Sequence, residues 1–184
     1  MRVFVLVILL CGLTGCSGGT AGDGLPRSDQ AAALEAALAE ENISAPSALP
    51  TRGTATYVGF MTLGLPIGGA AQDYVGDLDM GVDFGAIRNQ VSGSASNFNG
   101  LTGTLTLAGG DLDRTTDPNI NYTFDGALTG TLAQSGNRYN FDGSIVGEFR
   151  GRNQDGLTGG VFGDINGLDG QDLFDGSIAA TRDN

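Results

Sequence analysis

From Gly53 to Arg182, apolar and polar residues alternate along the chain with a period of two. In the clearest stretch, Tyr74 to Phe84, one face carries Leu78, Met80, Val82 and Phe84, and the other carries Asp77, Asp79 and Asp83. Because successive side chains of a strand point to opposite faces, this pattern predicts strands with one buried and one wet face. It recurs in segments at about 53–63, 74–84, 90–98, 101–108, 119–133, 138–150, 157–165 and 172–181.

The connections between these segments favour antiparallel neighbours. No stretch of helical period separates them, and Asn99-Gly100, Ser135-Gly136-Asn137 and Asp155-Gly156 are typical of tight turns. Eight antiparallel strands are the number that closes a small barrel whose interior is filled by side chains. The sequence therefore predicts an all-β domain, a single eight-stranded antiparallel up-and-down β-barrel. A two-sheet sandwich is the alternative, since a strand count does not establish closure.

A repeated glycine motif supports closure. The sequence Phe-Asp-Gly-Ala/Ser-Leu/Ile occurs at 124–128, 141–145 and 174–178, in a chain with 32 glycines. In each copy the aromatic ring, the glycine and the aliphatic residue share one face. Glycine weakens a strand, but on an apolar face it can make room for a neighbouring ring or bend the strand round a tight barrel. We therefore expect the apolar face inside and the aspartates outside.

The first residues resemble a lipoprotein leader. An apolar run from Val3 to Leu10 follows Arg2 and is too short to span a bilayer as a helix. It leads into Leu13-Thr-Gly-Cys16, which resembles the bacterial lipoprotein cleavage motif. This resemblance implies a signal peptide over 1–15, acylation of Cys16, and a lipid-bilayer partner through that residue. An ordinary secretory signal is the alternative. Ser17, in the position after the cysteine, resembles the residue found there in lipoproteins that are sorted to the outer membrane.

Residues 16–50 form the predicted tether between the anchor and a barrel domain at 51–184. The tether begins Gly-rich and polar, and its Ala-, Leu- and Glu-rich part predicts a short helix over 28–42, capped by Ser28. Leu34 and Leu38 lie one turn apart, with Ile43 beyond them. An isolated helix of this length is marginal in water, so it either docks on the domain or frays. It is either a stalk segment that holds the domain off the membrane or a plug for one mouth of the barrel.

Composition excludes several classes of function. Acidic residues outnumber basic ones 21 to 9, for a formal charge of −12, and the chain has neither histidine nor lysine. A chain this acidic lacks the basic surface that nucleic-acid binding needs. We therefore expect no nucleic-acid partner. Without histidine it has no Ser-His-Asp or Cys-His relay and no His-ligated zinc or haem.

The strands of an outer-membrane barrel also alternate between apolar and polar residues, but their apolar face points outward. Such a barrel turns its apolar face to lipid and carries aromatic girdles at both interfaces. Here the apolar face is rich in glycine, there is no tryptophan, and only 4 tyrosines are present. A barrel that does not span the membrane is therefore favoured.

No group of side chains predicts catalysis or a cofactor. Asp142 and Glu148 are the nearest approach to an acid–base pair, but both fall on the wet face, where two unlike environments are not expected. We therefore predict no catalytic residue and a protein that is not an enzyme.

Two loops and four tyrosines are weaker candidates for binding a metal or haem. Calcium could be held by the acidic loops, one with Asp111, Asp113 and Asp117, the other with Asp164, Asn166, Asp169 and Asp172. Solvated turn residues are the favoured interpretation. Haem iron could be ligated by Tyr57, Tyr74, Tyr122 or Tyr139, although core packing is favoured. We predict no metal-binding and no cofactor-binding residue.

Residues 48–182 resemble the barrel domain of transferrin-binding-protein-like bacterial lipoproteins. The likeness rests on Leu49-Pro-Thr-Arg-Gly-Thr-Ala-Thr-Tyr-Val-Gly-Phe60, Asp79-Met-Gly-Val-Asp-Phe-Gly85, Val91-Ser-Gly-Ser94, Gly147-Glu-Phe-Arg-Gly151, Leu157-Thr-Gly-Gly-Val-Phe-Gly163 and Phe174-Asp-Gly-Ser-Ile-Ala-Ala-Thr-Arg182. The loop Arg152-Asn-Gln-Asp155 departs from the Pro-Asn-Ala-Glu-like segment common in that family. The chain also holds one barrel where transferrin-binding protein B has two lobes with handle domains.

Two functions are consistent with the sequence. The resemblance implies an outer-membrane-anchored lipoprotein, at the cell surface or on the periplasmic leaflet, that binds a protein or a metal-carrying solute. Its partner would be a protein, such as an outer-membrane receptor. The alternative is a structural or envelope-shielding lipoprotein without a discrete ligand. Fold and export follow from the likeness more directly than the ligand does.

Overall fold

The computed structural model describes residues 25–115, 122–168 and 170–183. One α-helix and a short 3-10 helix precede eight strands. The elements are α1 (Arg27–Ala39), the 3-10 helix (Pro46–Ala48), β1 (Thr54–Leu65), β2 (Gln72–Asp83), β3 (Val91–Ser96), β4 (Thr102–Gly110), β5 (Phe124–Gln134), β6 (Asn137–Arg150), β7 (Gly156–Gly167) and β8 (Gly170–Arg182).

The strands form a closed barrel in chain order. Every neighbouring pair is antiparallel, and β8 pairs with β1 from Tyr57↔Arg182 to Gly64↔Asp175. The predicted eight-stranded up-and-down barrel is therefore confirmed, and the sandwich alternative is wrong. Closure leaves no pair of exposed sheet edges, so every strand has a partner on both sides.

Most apolar side chains of the strands point into the barrel, and most of the strand aspartates point out of it. The three repeated phenylalanines, Phe124, Phe141 and Phe174, are 0 to 3% exposed, whereas Asp142 and Asp175 lie on the exposed face. This orientation confirms the predicted faces. It is the reverse of a membrane-spanning barrel, which turns its apolar face outward.

The interior accommodates large rings because glycines lie beneath them. A Cβ built on Gly143 would lie 2.8 Å from Phe174 Cζ, and one built on Gly76 would lie 2.7 Å from Phe98 Cδ1. Gly147 lies against the Phe124 ring in the same way. The role predicted for glycine on the apolar face, making room for a neighbouring ring, is therefore confirmed at these positions.

The two ends of the barrel differ. The turns after β1, β3, β5 and β7 form what we name the upper end. The turns after β2, β4 and β6, with residues 43–53, form the lower end. At the upper end, Ser135 (φ 51°) and Gly136 (φ 88°) make a two-residue turn in which both residues have positive φ. This is the turn geometry whose twist matches paired strands.

Helix α1 packs across the outer wall. Arg27 forms an ion pair with Asp77 of β2 (Nη2–Oδ1 3.4 Å), and Ser177 of β8 donates a hydrogen bond to Glu35 (3.2 Å). At the other end of the helix, Leu38 is 7% exposed and lies over Gly156 of β7. The helix therefore spans the β1–β8 pair that closes the barrel. The helix is therefore docked on the domain, as one of its predicted alternatives had it, and its predicted placement as a plug for one mouth of the barrel is wrong.

Residues 43–49 cover the lower mouth instead. Ile43 forms an isolated bridge with Arg150, and Leu49 is 4% exposed within the core cluster. The Arg114 guanidinium donates hydrogen bonds to the carbonyls of Leu49 (3.0 Å) and Phe84 (2.9 Å). Two buried residues, Ser44 and Leu49, therefore hold this otherwise mostly exposed segment on the barrel.

The helix boundaries differ from the predicted 28–42. Its N-cap is Pro26, with no side-chain cap, so Ser28 lies inside the first turn. Its last helical residue is Ala39. Glu40 and Glu41 follow, and carboxylates are unfavourable at the negative end of a helix dipole. Beyond them Asn42 accepts a hydrogen bond from Gly151, which draws the chain toward the end of β6.

Two turns also differ from prediction. The connection after β3 spans residues 97–101 and is not a two-residue Asn99-Gly100 turn. The reason is Phe98, which is 4% exposed and packs over Gly76, so the loop folds back onto the barrel. After β6 the turn spans 151–155, and Gly156 already belongs to β7. The strand predicted to begin at 119 begins at Phe124; residues 119–121 lie outside the described part.

Three neighbouring substitutions on β6 test which face is inside. We expect Phe141→Ala to cost about 3–5 kcal/mol, as deletion of a buried ring does. Gly143→Val should cost at least about 1–3 kcal/mol, because its Cβ would meet the Phe162 carbonyl oxygen at 2.6 Å. Asp142→Ser should change stability by no more than about 0.5 kcal/mol. Urea denaturation measures all three, and a severe Asp142→Ser beside a silent Phe141→Ala would contradict the orientation.

Candidate functional site

Aromatic rings occupy both halves of the barrel interior. In the lower half, Phe149 contacts Tyr57, Phe84 and Phe124 with ring centroids 5.8, 5.8 and 5.4 Å apart. In the upper half, Phe141 and Phe174 meet edge to face at 5.1 Å. Rings at these separations are in direct packing contact. The interior is therefore a packed core.

A small cavity lies at the upper mouth. It measures about 60 Å³ and is lined by Pro66, Ile67, Tyr139, Ile165, Gly167, Gly170, Gln171 and Asp172. Small-molecule sites usually occupy about 300–1,000 Å³, so this cavity holds water at most. The candidate surfaces for binding are consequently the outer wall and the loops.

The lower end is closed by buried hydrogen bonds. The Ser44 hydroxyl donates to the Gly151 carbonyl at 2.6 Å, and the Tyr57 hydroxyl donates to the Gln154 carbonyl at 2.8 Å. Tyr57 is fully buried, and this burial raises the pKa of its hydroxyl to about 12, with Arg182 opposing the shift and Asp155 adding to it. Here the tyrosine stabilises the fold as a neutral hydrogen-bond donor.

The tyrosines considered as haem ligands lie apart. Tyr57 is at the lower end, whereas the Tyr74 hydroxyl accepts a hydrogen bond from Gln134 at the upper end (3.4 Å) and Tyr139 covers Gly167 there. Tyr57 and Tyr74 are buried, and Tyr139 packs against the core cluster. Tyr122 is half-buried. The core-packing interpretation is confirmed for the first three.

The carboxylates of Asp142 and Glu148 do not meet. They lie six residues apart on the outer face of β6, which at the usual strand rise is about 20 Å. Glu148 instead forms an ion pair with Arg150 (3.3 Å). The pair therefore has no geometry for shared acid–base chemistry.

Two aspartates of the acidic loop after β4 accept hydrogen bonds from backbone amides. An Asp111 oxygen accepts a hydrogen bond from the Asn89 N–H (3.0 Å), and an Asp113 oxygen accepts one from the Thr115 N–H (2.7 Å). The Asp113 contact, to the backbone two residues on, is typical of a turn carboxylate, whereas the Asp111 contact joins this loop to the loop after β2. Within residues 25–115, 122–168 and 170–183, no group of three acidic or cysteine side chains could hold a metal ion. Asp117 lies outside those residues.

The second acidic group is divided between two directions. Asp164 is on the outer face opposite Leu173, whereas Asp172 pairs with Ile165, which belongs to the core. Asn166 points outward with Asp164, since it lies two residues further along β7. Asp169 lies outside the described residues. These side chains therefore do not converge on one point.

The outer wall carries a surface that sequence reasoning missed. Phe162 of β7 is 50% exposed and Leu173 of β8 is 71% exposed. In the register Phe162 lies opposite Asp175 and Leu173 opposite Asp164, so the two apolar side chains are diagonal neighbours. The sequence did hold a clue, because the alternation puts Phe162 and Leu173 on the strand face that is otherwise polar.

Cys16, the predicted acylation site, lies outside the described residues, as does the predicted signal peptide at 1–15. In the part of the chain that the structure describes, no helix has the length and apolar character to cross a membrane. No protein-family model matches the sequence, and a search of curated proteins gave no match.

Tyr57 predicts an alkaline loss of stability. Between pH 10 and 12 the unfolded tyrosine releases its proton while the folded one keeps it, so the folded state binds more protons and stability falls as pH rises. The full effect of two pKa units is about 2–3 kcal/mol. Below pH 10 the contribution of Tyr57 to the free energy of unfolding is fully present.

Urea denaturation from pH 9 to 12 should therefore show a smaller alkaline decline for Tyr57→Phe than for the wild type. At pH 8 the variant should be less stable by about 1 kcal/mol, because the Gln154 carbonyl loses its donor. Equal slopes for the two proteins between pH 10 and 12 would contradict the role assigned to burial.

Proposed function

We propose that this chain is a lipoprotein anchored to the outer membrane through acylated Cys16, and that its barrel is a surface binding module for a protein or a metal-carrying solute. The anchor is supported by Leu13-Thr-Gly-Cys16 behind a short apolar run. Several acyl chains on one residue exceed what reversible membrane binding requires, so the attachment would be stable. Catalysis has no part in this proposal.

One observation carries the binding half of the proposal. The interior is a packed core, yet Phe162 and Leu173 are exposed side by side on the outer wall. Single exposed apolar residues are common on monomers, whereas adjacent ones more often mark a contact surface. The resemblance to transferrin-binding-protein-like lipoproteins supports the same class of function, with a protein or an outer-membrane receptor as partner.

The tether would join the domain near the upper end of the barrel. Arg27, in the first turn of α1, donates a hydrogen bond to the carbonyl of Asn97, in the turn after β3. Eight residues separate Cys16 from Leu25, the first described residue, and the nine steps between them can span at most about 30 Å. In this proposal the domain stays within that distance of the bilayer at one end.

Acylation is tested by removing each cysteine in turn. Cys16→Ala should abolish labelling by a fatty-acid analogue and release the protein from membranes. Cys11→Ala is the matched control, because Cys11 leaves with the signal peptide and its loss should preserve the label. Persistent labelling of Cys16→Ala, or equal loss in both variants, would contradict the proposed anchor.

Binding is tested by carbodiimide crosslinking on intact cells, followed by purification of the chain. The reagent joins carboxylates to amines, and this protein has 21 acidic residues but no lysine. It therefore reacts with the lysines of a partner and has no lysine through which to join a second copy. We expect at least one defined protein in the purified adduct.

Adducts that form anywhere on the surface are controlled for by repeating the crosslinking with a variant that lacks three carboxylates of the outer wall. The variant is Asp142→Asn, Asp164→Asn, Asp175→Asn. The absence of any protein adduct with the wild type would contradict a binding module. That outcome would favour a structural or envelope-shielding lipoprotein.

A further inference from the structure

The exposed apolar residues of the barrel concentrate on one hairpin. Phe162 and Leu173 lie on the outer wall of β7 and β8, and Leu168, 72% exposed, follows in their turn. The Phe162 ring separates two shallow grooves. One, of about 490 Å³, is lined by Gly163, Asp164, Leu173 and Asp175; the other, of about 470 Å³, includes Ala127, Ser144 and Val146. A side chain from another molecule could pack against either side of the ring.

Two carboxylates face each other beside this ring. Asp142 of β6 lies directly opposite Asp164 of β7, one row from the Ser144↔Phe162 pair. Like charges directly opposite each other on neighbouring strands are destabilising. Among the described residues the ion pairs are Arg27–Asp77 and Arg150–Glu148, so neither carboxylate has a cationic partner there.

The arginines are concentrated elsewhere on the barrel. The described arginines at the lower end are Arg52, Arg88, Arg114, Arg150, Arg152 and Arg182. On the outer wall of β5–β8, Arg138 lies four residues before Asp142 at the upper end of β6. Glu35, bound to Ser177 next to Asp175, adds a further carboxylate at the edge of this wall. The surroundings of Phe162 are therefore strongly acidic.

We propose that Phe162, Leu173, Asp142, Asp164 and Asp175, named the Phe162 patch, bind a protein segment that presents an apolar side chain flanked by lysine or arginine. The apolar side chain would pack against the Phe162 ring, and a cationic group would lie between Asp142 and Asp164. Aromatic anchors and charge-assisted pairs with carboxylates are the contacts that dominate such interfaces. This inference rests on the proposed binding function and specifies its surface and partner chemistry.

Charge argues against the other occupants of this patch. A second copy would bring another chain of formal charge −12 against the same acidic residues. An anionic bilayer would be repelled for the same reason. The chain's own leader carries one basic residue, Arg2, beside an apolar run, so it enters the test as a separate outcome.

The patch is tested in intact cells with a photoreactive side chain at three positions of the full chain. Benzoylphenylalanine replaces Phe162 in the patch, Val58 on the outer wall of β1, or Ile87 in the loop after β2. Val58 and Ile87 are matched controls, since they are exposed apolar residues (41 and 93%) outside the patch. We expect one protein crosslinked at position 162, at a yield about tenfold above position 58, with the joined segment carrying lysine or arginine beside an apolar residue.

A second variant separates binding from folding. Asp142→Asn combined with Asp164→Asn removes the opposed charges, so its melting temperature should equal or exceed that of the wild type. Its crosslinking yield at position 162 should nevertheless fall about tenfold. Raised salt should lower the wild-type yield in the same direction, because exposed charges are screened.

The outcomes distinguish this inference from the function on which it rests. Equal yields at positions 162 and 58, or crosslinks at 162 to lipid, to a second copy or to residues 1–15, would overturn the patch. A protein crosslinked only at position 58 or 87 would overturn the patch and leave the binding module in place. An unchanged yield in the Asp142→Asn, Asp164→Asn variant would overturn the cationic partner. No protein crosslinked at any position would overturn both proposals.

Discussion

The narrow interior of an eight-stranded barrel is the constraint on which this structure depends. With eight strands the interior is just wide enough to be filled by side chains. Phe174 fits because Gly143 leaves the adjoining space empty, and Phe124 fits against Gly147 for the same reason. Because rings fill the interior from Phe149 to Phe141, any contact with a partner must use the outside.

The strands and their faces could be predicted because period-two alternation is a local property. Leu78, Met80 and Val82 needed no knowledge of their partners to be assigned to one face. The turn at Asn99-Gly100 could not be predicted in the same way, since its length depends on Phe98, which packs on Gly76 of another strand. The burial of this one ring, which contributes about 1.5–3 kcal/mol, outweighs the local turn preference.

The position of α1 and the surface of the outer wall depend on register, which the sequence leaves open. Leu38 is buried because Gly156 of β7 offers a space without a side chain, whereas Ile43, on the same predicted stripe, is 51% exposed. Likewise Asp142 and Asp164 are 22 positions apart in the chain and meet only through the pairing of β6 with β7. Sequence reasoning placed Asp142 on the wet face and named Asp164 among the residues of an acidic loop, so it could not place the two opposite each other.

The distribution of arginine explains why Asp142 and Asp164 face each other without a cationic partner. Arg114 is committed to the carbonyls of Leu49 and Phe84, Arg150 to Glu148 and Thr158, and Arg27 to Asp77. Arg114 fastens a loop and Arg27 the helix to the barrel, while Arg150 links β6 to β7 and to the Glu41 carbonyl after α1. With no lysine in the chain, few cations remain for the wall of β5–β8. The same residues that close the lower end and hold α1 thus leave the wall of β5–β8 acidic. Like charges weaken a strand pair slightly on their own, and in the proposed complex a cation from the partner lies between them and offsets that repulsion.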